Sequence, residues 1–541
     1  MHLGLAQINP RLGAIDRNLR VILSHIEEAR QAGCDLVVFP ELAICGYPPL
    51  DLLWRSGFVE KMEGALREIA HASEGIGVIV GGVSSRAKKG RANLADRSSL
   101  SDGAGIDLFN SAFLFVDGAL VGEEAKLMLP TFDVYSEESY FTPAPGAQVF
   151  EFRGMRLGIN VCEDLWIDDG PTDTQASLGA DWVINISASP FFVGKGVIRR
   201  RLASRRAVEN GITLVYLNLV GAQDELVYDG GSFIMGPSGD LLYQAPYFDE
   251  GLFILDTEKL APIVPQPQLE IESIRRAIVV GIHDYLDKNG FSRVIIGLSG
   301  GIDSALVAAL AVEALGKEKV TAVFLPSEIT SQESRDDATT FAHRLGIEFL
   351  DIGIAEVIDA CHSVLPQCLT GLPAENLQAR ARGTLLMALA NERNALVLAT
   401  GNKSEIAVGY NTLYGDTVGA IAPIADLYKT QVYQLAKALG ETIPQNIVEK
   451  APTAELRPGQ RDEDDLPPYA LLDAILLDLI EKNASRKDLV ASGFPEKIVG
   501  EILSRYYKSE YKRRQLPLGI KVSSKAFGMG RRMPITHAYR A

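Results

Sequence analysis

Cysteine is scarce in this chain, with five among 541 residues, at positions 34, 45, 162, 361 and 368. The number is odd and no pair has C-x-x-C spacing. That argues against a disulfide framework or a zinc site and points to a reducing cytosol. Positive charge is also short. Lys and Arg number 53 against 69 Asp and Glu, leaving a net charge of −16. Broad electrostatic binding to nucleic acid or to an anionic membrane face is not expected, and any anionic ligand must meet local clusters of Lys and Arg. No uninterrupted apolar run is long enough to span a bilayer. The start, "MHLGLAQINP", lacks a basic segment followed by a long apolar region, so no secretory signal is expected. Internal repeats and low-complexity segments are missing as well.

What remains is ordinary globular material: 47% apolar and 23% charged residues, enough for two large domains or about three smaller ones. Short apolar segments recur through residues 1–257, among them "LGLAQI", "DLVVFPE", "GVIVGGV", "RLGINVCED" and "DWVINISAS". Their β-branched content and Gly, Pro, Asn and Asp boundaries read as strands. A helix is expected from Asp16 as N-cap, with Leu19, Ile22, Leu23 and Ile26 on one face and Gly33 past its end. Strands with a few covering helices suggest a layered α/β domain. Pro262, Pro265 and Pro267 then mark an extended linker. Beyond it strands and helices alternate regularly: a helix around 271–288, strand "RVIIGL", a helix from Asp303, strand "VTAVFLP", a helix opened by Thr330 with Glu333 as a capping box, strand "EFLDIG", a helix around 375–393 and strand "ALVLAT". This pattern implies a doubly wound parallel sheet. From about Pro468 the chain reads as helical. The expected boundaries are a first domain at 1–258, a linker at 259–271 and a second domain at 272–541.

The loop "SGGIDS" joins a strand to an apolar helix at the edge where open α/β sheets hold ligands. Gly300 and Gly301 let backbone approach an anion, Ser299 and Ser304 add hydroxyls, and the helix start offers free N–H groups. The loop matches neither G-x-G-x-x-G nor the Walker pattern. Asp303 is out of place in an anion cradle unless a cation joins it, and Mg²⁺ held by carboxylate and phosphate oxygens would resolve the conflict. "SGGIDSA" resembles the pyrophosphate loop of the ATP pyrophosphatases, which cleave ATP between the α and β phosphates and transfer AMP to a carbonyl or carboxylate oxygen.

In the first half, "VVFPELAICGYPP" places Glu41 just past a strand, "EEAKLMLP" places Lys126 before an apolar turn, and "GINVCEDLW" places Cys162 where a strand gives way to a loop. A thiol attacks only as thiolate and needs a neighbouring base or cation. None of the seven histidines lies in these stretches. A remote Cys–His dyad stays open, but a glutamate base with a lysine for the oxyanion is the more economical set. The combination resembles the nitrilase, or carbon–nitrogen hydrolase, family. That resemblance implies an α-β-β-α sandwich with Glu41 as general base, Lys126 as oxyanion stabiliser and Cys162 as nucleophile. It implies Glu137 as a supporting acid, and Tyr47, Phe132, Ser189 and Lys195 as glutamine contacts beside it.

Both halves together resemble the glutamine-dependent NAD synthetase family along essentially the whole chain. The resemblance implies a ligase that takes ammonia from glutamine, adenylates deamido-NAD with ATP and releases NAD, AMP and pyrophosphate. It implies ATP contacts at Gly297, Leu298, Ser299, Gly300, Gly301, Ile302, Asp303, Ser304, Thr400 and Lys429. It also implies deamido-NAD contacts at Asn376, Glu405, Asp416 and Lys512, Mg²⁺ between Asp303 and Glu405, and a cytoplasmic homo-oligomer. "RPGQRDEDDLPPY" resembles the family's mobile loop. Another glutamine-dependent amidotransferase of the same ATP class with a different acceptor, and a non-catalytic nucleotide sensor, stay open at this point.

Overall fold

A computed structural model describes residues 1–87, 106–265, 267–367 and 369–539. Cys368, and Gln266 of the expected linker, lie outside the described residues. The chain divides into two units, Met1–Gln223 with Val227–Pro267, and Asp224–Leu226 with Gln268–Ala541.

The first unit holds two six-stranded sheets. One runs, in spatial order, Gly251–Asp256, His2–Gln7, Leu36–Val38, Gly77–Ala87, Ile106–Val116 and Ala119–Ala125. The other runs Leu241–Gln244, Phe233–Met235, Thr213–Asn218, Trp182–Ser187, Met155–Val161 and Val149–Phe152. Alternate residues face inward on each strand. Leu3, Leu5, Val38 and Ile79 from one sheet pack with Leu157, Ile159, Ile184 and Val215 from the other, all fully buried. The opposite faces carry helices. Ile15–Gln31 buries Ile15, Leu19, Ile22 and Ile26. Ala203 and Ala207 of the helix Lys195–Asn210 pack on Leu214, Tyr216 and Phe233. The layering is therefore α-β-β-α. The expected cap is displaced: Asp16 sits inside the first turn and Ala14 is the N-cap, without a side-chain bond. An acid in that turn still favours the helix through its dipole.

The second unit is built on an all-parallel six-stranded sheet. Its spatial order is Glu348–Asp351, Val320–Phe324, Val294–Gly297, Leu396–Leu398, Ile421–Ala422 and Leu518–Gly519. Val294–Gly297, first in sequence, lies between the second strand and the fourth. The winding direction reverses there, and a crevice opens beyond the strand ends. The helix Ile302–Leu315 is apolar all round because it is covered on several sides; Ile302 and every residue from Ser304 to Ala311 are buried. The expected capping box is also shifted. Ser331, not Thr330, caps Gln332–Leu345, its Oγ accepting from Ser334 N at 3.1 Å. Thr330 instead accepts from Ser327 N at 3.0 Å. The helices Tyr469–Ile480, Arg486–Ala491 and Glu496–Lys508 share a core of their own around Leu472, Ile475, Leu489 and Ile502.

Gly81 passes under the turn that carries Glu41. A Cβ there would lie 2.4 Å from both Leu42 N and Pro40 O. Gly81→Ala should cost about 1–3 kcal/mol of stability by overpacking, read as a lower denaturant midpoint. Gly64→Ala, whose Cβ would meet only the Arg67 guanidinium at 3.8 Å, should not lower it.

Candidate functional site

In the first unit the strand Met155–Val161 ends at Cys162, whose φ of 49° lies in the left-handed region. Asp164 fixes this turn. Its Oδ2 accepts from Val161 N at 3.1 Å, while Oδ1 accepts from Leu127 N at 3.1 Å and Met128 N at 2.8 Å. One carboxylate thus ties the thiol's turn to the segment that carries Lys126.

Lys126 is fully buried and donates to Glu41 Oε1 at 2.9 Å and to Glu137 Oε1 at 2.7 Å. The same Glu137 oxygen accepts from the Tyr47 hydroxyl at 2.7 Å. Glu41 is held from two further directions, by Asn110 Nδ2 at 2.7 Å and by Ala188 N at 2.7 Å. Burial by itself would depress the Lys126 ammonium, but Glu137 and Glu41 outweigh it and hold its pKa above the ordinary value. Cys162 is pushed the other way for a nucleophile. Burial and then the Glu41 carboxylate raise its thiol, with Lys126 opposing. The resting sulfur is therefore a thiol with a carboxylate base and an ammonium as electrostatic neighbours, which suits proton removal during attack over a standing thiolate.

The residues expected to contact an amide substrate divide. Tyr47 and Glu137 join the lysine network. Ser189 is buried, its N–H donating to Asn218 Oδ1 at 2.8 Å and its carbonyl accepting from Arg199 at 2.7 Å. Lys195 opens its helix, donates to Pro190 O at 2.9 Å and faces Glu163 electrostatically. Phe132 is 58% exposed and sits edge-on to Tyr135. Tyr135 is the buried aromatic that lies near Cys162 and Glu163.

The second unit contains a cavity of about 930 Å³ at the crevice. It is lined by every residue expected to meet ATP or the dinucleotide except Gly300. Gly300 lies behind the lining at φ 81°, where a Cβ would stand 2.5 Å from Ser334 O. Asp303 accepts from Asn402 Nδ2 at 3.0 Å and from the Lys429 ammonium. Lys429 also pairs with Glu405 Oε1 at 3.3 Å. Burial outweighs Lys429 and, with Asp303 nearby, raises the Glu405 carboxyl; Lys429 itself is raised by Asp303 and Glu405 against burial. Across the cavity Asn376 Oδ1 accepts from Thr412 Oγ1 at 2.8 Å, and Asp416 accepts from Thr412 N at 2.6 Å. Lys512 donates to Gly409 O at 2.8 Å and Asn411 O at 2.5 Å. Burial lowers its pKa, with Asp416 opposing.

Sequence reasoning missed the supports. Asn110 lies 69 residues from Glu41, and no local pattern announces the pair. Asp164 and Asn402 each stand two residues beyond an expected site residue, Cys162 and Thr400. Their signal was chemical: a short polar side chain at the first turn of a helix.

Residues 2–259 match the family model described as carbon-nitrogen hydrolase and residues 274–516 the one described as NAD synthase. The glutamine-dependent NAD(+) synthetase of Synechocystis sp. is 41% identical, covering 99% of this chain and 99% of that protein. The one from Thermotoga maritima is 38% identical over 99% of this chain and 98% of its own length. Among solved structures, glutamine-dependent NAD+ synthetase from Acinetobacter baumannii in complex with adenosine diphosphate superposes with a TM-score of 0.77 at 36% identity. It covers 99% of this chain and 98% of that one.

Burial pushes the Asp416 carboxyl up to about 6 from its ordinary 3.8. The folded state then binds this proton more tightly than the unfolded chain does. Its contribution to stability is full below about pH 4, falls as pH rises, and levels above about pH 6. The loss is small, because Asp416 keeps more than a third of its surface exposed and water screens the shift. Asp416→Asn should flatten that part of the pH–stability profile, measured as the difference in denaturant midpoint between wild type and variant.

Proposed function

We infer the chemistry of this chain from one premise: it belongs to the glutamine-dependent NAD(+) synthetase family. It is a ligase that hydrolyses glutamine, adenylates deamido-NAD with ATP and amidates the adenylate to NAD, with AMP and pyrophosphate as products. The observation that carries the residue assignment is the Lys126 ammonium locked between two buried carboxylates beside a buried thiol.

In the first reaction Glu41 takes the proton of Cys162 as the sulfur attacks the carboxamide carbon of glutamine. The carbonyl oxygen becomes an oxyanion facing Lys126, already fixed in place, so no reorganisation is needed when the charge appears. Glu41 returns the proton to the leaving nitrogen, the C–N bond of the tetrahedral adduct breaks, and ammonia departs to leave a thioester on Cys162. Water activated by Glu41 then releases glutamate. Glu137 and Tyr47 keep Lys126 charged and aimed. Ser189 and Lys195 hold the substrate, and Phe132 borders the entrance.

In the second reaction the nicotinate carboxylate attacks the α-phosphorus of ATP and pyrophosphate leaves. The run Gly297 to Ser304 cradles the departing phosphates with backbone N–H groups and the hydroxyls of Ser299 and Ser304. Thr400 and Lys429 contact the nucleotide. Asn376, Glu405, Asp416 and Lys512 place the dinucleotide. Ammonia then attacks the activated carbonyl and AMP leaves. Asp303 and Glu405 suit Mg²⁺, which takes one or two carboxylates and completes its shell from phosphates and water. Among the described residues no group of three or more His, Cys, Asp and Glu could hold a metal unaided, so water or substrate oxygens would have to supply the rest. When bound, Mg²⁺ neutralises charge on the departing pyrophosphate. By the same family likeness the working form is a homo-oligomer in the cytoplasm. The four described cysteines, all free thiols, suit a reducing compartment. No helix among the described residues is long and apolar enough to cross a membrane.

Cys162→Ala should lower glutamine-driven NAD synthesis by about a thousandfold or more while leaving synthesis from free ammonia near wild type. Asp303→Asn should depress both. Assays of NAD, AMP and pyrophosphate separate the cases, and loss of ammonia-driven synthesis in Cys162→Ala would refute the two-site assignment.

A further inference from the structure

Lys429 and Asp462 hold a question that the reaction scheme leaves unanswered. The Lys429 ammonium is 2% exposed and pairs with both Asp303 and Glu405. Those are the two carboxylates that suit a divalent cation. An ammonium and a divalent ion cannot share the same inward-facing oxygens without strong mutual repulsion. Either the site never takes the metal, or the lysine has somewhere else to go.

The structure offers a destination. Asp462 is only 4% exposed and borders the same cavity. Its Oδ2 accepts from the Tyr469 hydroxyl at 2.8 Å. Its Oδ1 is buried and has no hydrogen-bond donor in place, a costly state for a carboxylate oxygen. Lys429 and Asp462 already feel each other electrostatically. The lysine stem runs past the face of Tyr469, with Nζ 5.3 Å from the ring centroid. Tyr469 is thus in contact with both partners, and a flexible four-carbon stem can swing between them.

We propose that Lys429 is the resident counter-ion of the metal seat, neutralising Asp303 and Glu405 until a divalent cation enters, and that it then moves onto Oδ1 of Asp462. This rests on the assignment of Asp303 and Glu405 as metal ligands. The internal cation keeps two half-buried carboxylates from facing each other unpaired, and it makes the metal compete for its place. Asp462 sets the strength of that competition, because it receives the displaced charge.

The test is binding of Mn²⁺ alone to the full-length protein, without nucleotide, followed by electron paramagnetic resonance. Mn²⁺ shares the oxygen preference of Mg²⁺. Lys429→Met should bind Mn²⁺ about tenfold more tightly than wild type, whereas Lys429→Arg should stay near wild type. Asp462→Asn should weaken Mn²⁺ binding about tenfold in the wild-type background and far less in the Lys429→Met background. Removing the ammonium should also lower the melting temperature, and millimolar Mn²⁺ should restore it more in Lys429→Met than in wild type. Displacement is overturned if Lys429→Met binds Mn²⁺ no better than wild type and its melting temperature does not respond to the ion. It is overturned equally if Asp462→Asn acts alike in both backgrounds. Asp303→Asn placed in Lys429→Met tells the two levels apart. Abolishing the gain supports the seat, and Mn²⁺ binding indifferent to Asp303 shows that the metal assignment itself, and the displacement with it, has failed.

Discussion

An ammonium shared by two carboxylates occurs in both units, with partners 0% and 4% exposed in the first and 19% and 18% exposed in the second. Lys126 lies between Glu41 and Glu137, and Lys429 lies between Asp303 and Glu405. Buried charge of this kind is tolerated only when paired and fully hydrogen-bonded, and removing one member leaves the others stranded. The two triads use that constraint differently. Around Lys126 the extra donors, Asn110, Ala188 N–H and Tyr47, tie down both carboxylates, so the lysine is held in place. Around Lys429 a buried carboxylate oxygen is left open close by, and the lysine is free to be exchanged.

The folds supply these triads by different geometry. In the sandwich, Glu41, Lys126 and Cys162 arrive from strand ends and turns of two packed sheets, and a single side chain, Asp164, fastens the turn of one to the segment of another. In the parallel sheet the residues come from loops on either side of the point where the winding reverses. There the cradle after Val294–Gly297 meets the loop after Leu396–Leu398. The close approach of Gly300 to Ser334 O leaves no room for a side chain at that position of the cradle.

Much of this was legible in the chain. Strand periodicity and Gly or Pro boundaries gave the layering, because the strands of both inner faces alternate cleanly or are wholly apolar. The seven residues proposed for catalysis and for the phosphate cradle, Glu41, Lys126, Cys162, Ser299, Gly301, Asp303 and Ser304, stood in short motifs at strand ends. Helix starts slipped by one or two positions at Asp16 and Thr330: Ser331 offers the same capping hydroxyl as Thr330, and the first helix starts after its N-cap Ala14, with no side-chain cap for the sequence to announce. The strands Ile421–Ala422 and Leu518–Gly519 span two residues each, too short for any period to register. Supports such as Asn110 and Ala188 N–H act across long sequence separations or through the main chain, where residue type carries no message.

The left-handed backbone at Cys162 has a consequence of another kind. A side chain in that region costs about 1–2 kcal/mol relative to glycine. The chain therefore spends folding stability at the position proposed for its nucleophile. Under selection for heat tolerance alone, with catalysis ignored, glycine should accumulate at position 162.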